Sequence, residues 1–155
     1  MRTADPHRVE IALVRTTRAV KRAFNQWLAP IGLTMTHGAL LSFVDEYGSL
    51  TQRELADLLH ITRVSTGTFI DALEERNLVR RTDDPADRRV WLITLTEDGA
   101  ETVREFYEID RQLREHLRAG FTRDERQQLA QFLERLETNA DIAVLPPDDL
   151  VEELD

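Results

Sequence analysis

Hydrophobic residues recur at helical spacing near both ends of the chain. The N-terminal series follows Asp5-Pro6, a capping side chain and a proline suited to the first helical position, and it stops at Pro30 and Gly32. A helix over residues 6–29 would be roughly 30 Å long or more at ~1.5 Å per residue. So long a helix in a small chain usually packs against a partner. Its apolar positions are Val9, Leu13, Val20, Phe24, Trp27 and Leu28.

Two further amphipathic helices are predicted over residues 97–143. Thr96 caps the first and Gly120 ends it, and the T-x-x-E sequence from Thr122 to Glu125 is a capping box for the second. An acidic tail, residues 144–155, contains the prolines that end the helical part. The apolar stripes of the two helices comprise Ala100, Val103, Phe106, Tyr107, Leu113 and Leu117, then Leu129, Phe132, Leu133, Leu136 and Ala140.

A shorter helix is predicted after the N-terminal one. Thr34 is its candidate cap, and Tyr47-Gly48 ends it. His37 is the third residue after the cap, so we interpret it as a polar group that closes the first helical turn, with a ligand contact as the alternative. The buried stripe of this helix comprises Leu40, Leu41, Phe43 and Val44.

The pattern of residues 50–77 predicts two short helices joined by a tight turn. Thr51 to Glu54 form a T-x-x-E box, Thr62 caps the second helix, and Asn77 suits the left-handed conformation that ends it. We interpret His60 as a turn residue at positive φ rather than a metal ligand or pH switch. The core-facing positions are Leu55, Ala56, Leu58 and Leu59, then Thr66, Phe69, Ile70 and Leu73.

The opposite face of the second short helix carries small side chains. Such a face suits a helix that lies close in the major groove of DNA, where threonine and valine methyls can contact thymine methyls. A plain surface helix with a tolerated glycine is the alternative interpretation. The face comprises Val64, Gly67, Thr68 and Asp71, with Arg63 beside it.

A two-stranded ribbon with a charged tip follows. Residues 78–82 predict one strand, residues 83–87 have turn chemistry, and residues 90–95 predict the return strand. Arg88 and Arg89 at the tip are well placed for the minor groove of DNA or its phosphates. Asp87 could orient one of these arginines through an ion pair. An exposed charged hairpin without a binding role is the alternative.

Composition limits the class of protein. The 155 residues are enough for one domain with a hydrophobic core, and a hydrophobic content of 41% is ordinary for a globular chain. No apolar run approaches the ~18 residues of a membrane span, no secretory signal is apparent, and cysteine is absent. A cytoplasmic protein without disulfides or thiol redox sensing is therefore expected.

No catalytic or metal-binding pattern is apparent in the sequence. It shows no nucleophile–base pair, no metal-ligand cluster and no phosphate-binding loop, so we predict neither an enzyme nor a cofactor. The spacing of the four histidines does not resemble that of metal ligands, and no metal site is predicted. The histidines are His7, His37, His60 and His116.

The net charge of −9 argues at first against a nucleic-acid binder. Residues 50–95, however, hold seven basic and eight acidic residues, so that this segment is −1 and the remaining −8 lies outside it. Residues 141–155 alone hold six acidic residues and no basic one. Because DNA binding needs a local cationic edge rather than a basic protein, the central segment remains a DNA-binding candidate.

The order of these elements resembles the MarR family of bacterial transcriptional regulators. The most specific part is LVRRTDDPADRRVWLITLTEDG, residues 78–99, which is similar to the family's wing signature: a strand, a D-P-x-D-R-R tip, a return strand and L-T-x-x-G. The runs ELADLLHIT and DALEERNLV support the resemblance, which covers residues 7–141. The implied fold is mainly α with a small β wing: a winged helix-turn-helix lobe plus long helices that form a dimerisation region.

The resemblance assigns roles to parts of the chain. It implies a MarR-type domain over residues 7–141, with a DNA-binding lobe at 50–95 and dimerisation helices at 6–29 and 97–143, followed by the acidic tail. It implies a recognition helix in the major groove and a wing in the minor groove, with Asp87 bracing the wing. The implied DNA-facing residues are Thr62, Arg63, Ser65, Gly67, Thr68, Arg88 and Arg89.

The sequence departs from the family's pattern at two positions. Thr68 stands where arginine is frequent, which moves base recognition toward Arg63, the wing and indirect readout. His60 stands where glycine is common. Because this sequence has no cysteine, family members that respond to thiol oxidation are not a model for its regulation.

These observations lead to one main hypothesis and one alternative. The main hypothesis is a homodimeric repressor that binds a pseudo-palindromic operator in double-stranded DNA, with no membrane partner; a small-molecule effector that releases it is a separate, secondary hypothesis. The alternative is a winged-helix module for protein interaction or an architectural role, without ligand control, which the net charge of −9 favours. A candidate ligand pocket, for which ordinary core packing is the competing interpretation, comprises Phe24, Trp27, Met35, His37, Phe43 and Phe106.

Overall fold

The computed structural model describes residues 9–85, 87 and 89–143. The predicted Asp5-Pro6 helix start, Arg88 and the acidic tail lie outside these residues. Two compact units divide the chain between Leu117 and Arg118, and each is described by itself. In chain order the elements are α1 (Val9–Leu28), a 3-10 turn (Ala29–Ile31), α2 (Met35–Tyr47), β1 (Leu50–Thr51), α3 (Gln52–Leu59), α4 (Arg63–Glu75), β2 (Val79–Asp83), β3 (Trp91–Leu95), α5 (Glu97–Leu117) and α6 (Arg123–Ala143).

The helix starts follow the predicted caps. The Thr34, Thr51 and Thr62 hydroxyls each accept a hydrogen bond from the backbone N–H three residues later. His60 and Asn77 adopt left-handed conformations with φ of 51° and 57°. The predictions at these five positions are confirmed, because each depends on contacts within one helical turn.

The sheet has three antiparallel strands in the order β1-β3-β2. β2 and β3 form the predicted ribbon, each beginning one residue later than expected, with Val79 paired to Leu95 and Asp83 to Trp91. β1 was not predicted from the sequence. It pairs Leu50 with Ile93, and two residues are too few to show a strand pattern.

The core of the first unit joins α1, α2 and the helix-turn-helix to α5. Fully buried side chains include Leu28, Leu40, Leu41, Leu55, Ile70, Leu73, Ile93 and Val103. The first half of the predicted α1 stripe is not buried in this core: Val9 is 53% exposed, whereas Phe24 and Leu28 are buried. α1 therefore contributes to the core through its C-terminal half.

The second unit contains α6. The predicted capping box is present, with the Thr122 N–H donating to Glu125 Oε2 at 2.7 Å. Over its 21 described residues α6 has no buried side chain. No single helix in the described part of the chain is long and apolar enough to cross a membrane. The segments Val9–Ile31 and Met35–Tyr47 reach the length and composition of a membrane span only when taken together, and the chain bends by 73° between them.

Candidate nucleic-acid interface

α3 and α4 form a helix-turn-helix whose second helix starts at a firm cap. The Thr62 hydroxyl accepts from the Ser65 N–H at 3.2 Å and lies 2.9 Å from the Ser65 hydroxyl. Inside the helix, Thr66 is fully buried and its hydroxyl donates to the Thr62 carbonyl at 3.0 Å. Ile70 and Leu73 extend the buried side, so the core-facing residues anchor α4 to the core.

The outer face of α4 exposes methyl groups, and its hydroxyls also form hydrogen bonds within the helix. Val64 is 82% exposed, the highest value among the exposed large hydrophobic side chains of the described residues. The Thr68 hydroxyl donates back to the Val64 carbonyl at 3.3 Å, and those of Thr62 and Ser65 bond to each other. The Thr68 donor is therefore used within the helix, while the exposed methyl groups of this face remain available for apolar contact.

Gly67 differs from the predicted exposed row. It is half-buried beneath Gln52, whose Nε2 donates to the Arg63 carbonyl at 2.7 Å. A Cβ at position 67 would lie 2.9 Å from that nitrogen. The glycine therefore leaves room for the Gln52 amide beside α4, a packing role that the sequence alone did not reveal.

The tip of the wing exposes Arg89 and places Asp87 against it. The Arg89 side chain is 93% exposed. The Asp87 carboxylate accepts from the Arg89 backbone N–H at 3.0 Å and lies 3.4 Å from Arg89 Nε. An exposed pair of this kind contributes little stability, but the two contacts restrict where the arginine points.

Arg81 joins the wing to α4. Its Nη2 lies 2.5 Å from Asp71 Oδ1, and its Nη1 donates to the Glu74 carboxylate. Glu74 also accepts from the Arg81 backbone N–H at 3.1 Å. Desolvation opposes the charge of Arg81, but the hydrogen bonds and charges of the two acids outweigh it and raise the pKa of Arg81. Sequence reasoning missed this link and placed Asp71 only on the groove-facing side.

Four of the six residues of the candidate ligand pocket pack in or against the hydrophobic core: Phe24, Trp27, Phe43 and Phe106. Phe24 and Phe106 are buried, Trp27, His37 and Phe43 are half-buried, and Met35 is 37% exposed. The ring centroids of Trp27 and His116 are 5.1 Å apart, and those of His37 and Phe69 are 5.4 Å apart. The surface grooves along α1 are lined by other residues. A ligand pocket among these six residues stays a prediction.

His37 has the capping geometry expected of a residue that closes the first turn of α2. The Thr34 N–H donates to His37 Nδ1 at 3.3 Å, and the His37 N–H donates to the Thr34 hydroxyl at the same distance. Burial, together with the charge of Arg76, lowers the pKa of His37 below its ordinary value. Within the described residues, no group of three or more His, Cys, Asp or Glu side chains could hold a metal ion.

Comparisons with known proteins identify the family. The family model of the MarR family matches residues 33–91. The transcriptional repressor CouR, solved bound to a 23-mer DNA duplex, is 30% identical, with a TM-score of 0.77 and coverage of 83% of this chain and 92% of that one. The chain belongs to the MarR family. The resemblance read from the wing sequence is thereby confirmed.

Two further relatives agree with this MarR-family assignment. The HTH-type transcriptional regulator YwaE of Bacillus subtilis strain 168 is 28% identical over 112 residues, which span 72% of this chain and 66% of the relative, just under two thirds of its length. Bordetella bronchiseptica BpsR, whose DNA binding is regulated by 6-hydroxynicotinic acid, is 26% identical with a TM-score of 0.78 and covers 83% and 92% of the two chains. The predicted fold class is confirmed.

Proposed function

We propose that this MarR-family protein is a dimeric, sequence-specific DNA-binding regulator that represses transcription from a pseudo-palindromic operator. The observation that carries the proposal is the surface made by α4 and the wing. Val64 is 82% exposed on one face of a capped, core-anchored helix, and Arg89 is 93% exposed at the end of a ribbon tied to that helix by Arg81.

The charge distribution supports DNA as the partner. The lobe of residues 50–95 is −1 although the chain is −9, and Arg63 and Arg89 lie at the start of α4 and at the wing tip. In the proposal Thr62, Arg63, Ser65 and Thr68 face the major groove. The wing arginines reach the minor groove or its phosphates. CouR, bound to a duplex in its solved structure, is similar over 83% of this chain.

Exposed apolar side chains on the long helices support a homodimer. Faces of this kind usually become buried in an interface. With two-fold symmetry, the dimer would present two recognition helices to half-sites about one helical turn, ~34 Å, apart. The exposed side chains are Val9, Ile11 and Val14 on α1, Tyr107 and Leu117 on α5, and Leu129, Phe132, Leu133 and Ile142 on α6.

Release by a small ligand is the further part of the proposal. The support is BpsR, whose DNA binding responds to 6-hydroxynicotinic acid and whose fold this chain shares. A ligand bound near the six residues of the candidate pocket would act by favouring a spacing of the two lobes that does not fit the operator. The size of the effect is limited by the ligand's differential affinity for the two spacings.

The testing experiment is fluorescence anisotropy with the intergenic DNA beside the protein's own gene, titrated with salt and with unlabelled competitor. Tight, competitor-resistant binding at two chains per site supports the regulator. Footprinting should then show paired half-sites, and a single unpaired half-site would contradict the dimeric arrangement.

A protein-interaction or architectural module is the second candidate function. The net charge of −9 favours it, because a strongly acidic chain is repelled by DNA outside its binding surface. Weak, salt-sensitive binding without sequence preference would support this candidate and contradict the operator proposal.

A further inference from the structure

Arg76 connects the C-terminal end of α4 to the turn that follows α1. Its Nη1 donates to the Gly32 carbonyl at 2.6 Å and its Nη2 donates to the Ile31 carbonyl at 2.9 Å. The partners lie 44 and 45 residues away in the chain. A guanidinium holds two carbonyls in a fixed plane, so this contact restrains both position and direction.

The turn that receives Arg76 is itself well defined. Pro30 lies in the 3-10 turn, Gly32 has φ of 67°, and the Gly32 N–H donates to the Ala29 carbonyl at 2.9 Å. The Leu33 N–H donates to the Leu28 carbonyl at 3.1 Å, and both leucines are buried. A Cβ at position 32 would lie 3.2 Å from Arg76 Nη2. The two carbonyls are therefore presented by a rigid corner.

This contact joins two elements with different proposed roles. The turn is the exit from α1, a helix proposed to form the dimer, and Arg76 directly follows α4, the proposed recognition helix. At its other end α4 is contacted by Gln52 through the Arg63 carbonyl. A link at each end of α4 fixes its direction more firmly than the buried side alone, because packing of apolar side chains has no directional bonds.

We propose that Arg76 is a positioning residue that sets the direction of α4 relative to α1, and through it the half-site spacing that the dimer accepts. The part concerning spacing rests on the proposed function, whereas the part concerning direction does not. Two simpler roles compete: a cation that favours the α4 C-terminus through the helix dipole, and a cation that attracts DNA.

Arg76→Lys and Arg76→Gln separate these roles. Lysine keeps the charge, which preserves the helix-dipole and DNA contributions, but its single ammonium cannot reproduce the planar fork. Glutamine removes the charge as well. Arg80→Gln is the matched control, because Arg80 is also exposed in the same lobe and its hydrogen bond goes to Thr94 within the ribbon.

The first test measures how narrowly α4 is held relative to α1, in the absence of DNA. The chain has no cysteine, so Thr17→Cys on α1 and Val64→Cys on α4 place two spin labels at exposed positions. Labelled chains are diluted with unlabelled protein, and electron–electron distances are measured within one chain. We expect one narrow distribution in the parent and in Arg80→Gln, and a distribution about twice as broad in both Arg76 variants.

The second test measures spacing selectivity with operators lengthened or shortened by one central base pair. Each step moves a half-site by roughly 3.4 Å along the axis. We expect the parent and Arg80→Gln to lose about tenfold in affinity per step, and both Arg76 variants to lose less than about threefold, since a less constrained lobe adapts to either spacing.

The outcomes distinguish the possibilities. Unbroadened distances in both Arg76 variants overturn the proposal, and so does Arg76→Lys behaving as the parent in both tests, which would assign Arg76 a charge role only. If the parent binds no operator specifically, the proposed function fails, and the distance measurement still decides whether Arg76 directs α4. Thermal unfolding of each variant verifies that the comparison is between folded proteins.

Discussion

Gly38 and Gly99 show how single positions determine the packing of this protein. A Cβ on Gly38 would lie 2.1 Å from Cε2 of Phe106, so this glycine lets the Phe106 ring lie directly on α2. A Cβ on Gly99 would lie 1.9 Å from the Leu78 carbonyl oxygen. The glycine of the L-T-x-x-G sequence thus has a physical reason: the first turn of α5 lies against the backbone that enters the wing.

Val64 provides a residue-scale prediction about base recognition. Because the Val64 side chain is 82% exposed on the outer face of α4, we expect its methyl groups to contact thymine methyls in the major groove. Deoxyuridine lacks that methyl, so replacing the contacted thymine should weaken binding by about 1 kcal/mol. The measurement is anisotropy with singly substituted operators.

Val64→Ala is the matched protein variant for this prediction. It should bind the unmodified operator less tightly and respond little to deoxyuridine, since the contact is already removed. If the parent and Val64→Ala lose the same affinity at every substituted thymine, Val64 does not read a thymine methyl.

At the scale of elements, the wing and α4 form one unit because Arg81 of β2 contacts Asp71 and Glu74 of α4. The tip beyond this contact carries Arg89, braced by Asp87. Arg81 and Arg89 therefore have different expected roles in the wing: Arg81 holds the ribbon in place, and Arg89 reaches outward.

These roles predict different salt dependences. Arg89→Ala should weaken operator binding. The plot of log affinity against log salt has a negative slope, and the magnitude of that slope should fall by about one because one phosphate contact is lost. Arg81→Lys should also weaken binding but leave the slope unchanged, because a guanidinium that holds two carboxylates releases no counterion from DNA. An unchanged slope in Arg89→Ala would remove the wing tip from the interface.

The α2 capping box predicts a pH dependence of stability. Burial and the charge of Arg76 lower the pKa of His37 in the folded protein below its ordinary value of 6.5. As pH falls below that value, the unfolded chain binds a proton first, so the contribution of His37 is complete above about pH 6.5 and is lost as pH falls toward the lowered pKa. Thermal unfolding between about pH 7.5 and 5.5 measures this loss.

His37→Gln is the control for this pH dependence. Glutamine at the third helical position can also accept from the cap N–H, which preserves the box, but it does not titrate. The melting temperature of the variant should fall less than that of the parent over the same range. Parallel curves would show that other groups cause the acid sensitivity.

At the scale of the whole molecule, the long helices carry apolar side chains that residues 9–143, as far as the structure describes them, leave exposed. α6 has no buried residue among those described, although Leu129, Phe132 and Leu133 lie on one side of it. A helix of this composition derives most of its stability from packing. A second copy of the chain is the occupant that the proposed dimer supplies.

Phe132→Asp tests this dimer. The side chain is 53% exposed in the single chain, so a carboxylate there should leave the chain folded but raise the dimer dissociation constant by about a hundredfold, equal to ~2.7 kcal/mol. Gln127→Asp, on the opposite side of α6, adds the same charge and should leave association unchanged. Sedimentation equilibrium measures both variants, and equal association of the two would contradict a dimer formed through this face.

Local sequence determined the helix starts, the two left-handed positions and the wing. The Thr34, Thr51 and Thr62 caps and the conformations of His60 and Asn77 depend on bonds within one helical turn, which spacing along the chain specifies directly. The ribbon was predictable because its turn chemistry and strand residues are contiguous.

Tertiary structure alone decided how these elements hold one another. The pairing of β1 with β3, the contact of Gln52 with α4, the Arg81 link to Asp71 and the Arg76 link to the α1 corner join residues 10 to 45 positions apart. No local pattern marks such partners, because an exposed arginine has the same sequence appearance whether it faces solvent, DNA or a carbonyl. Only the packing of the core brings each arginine within reach of its acceptor.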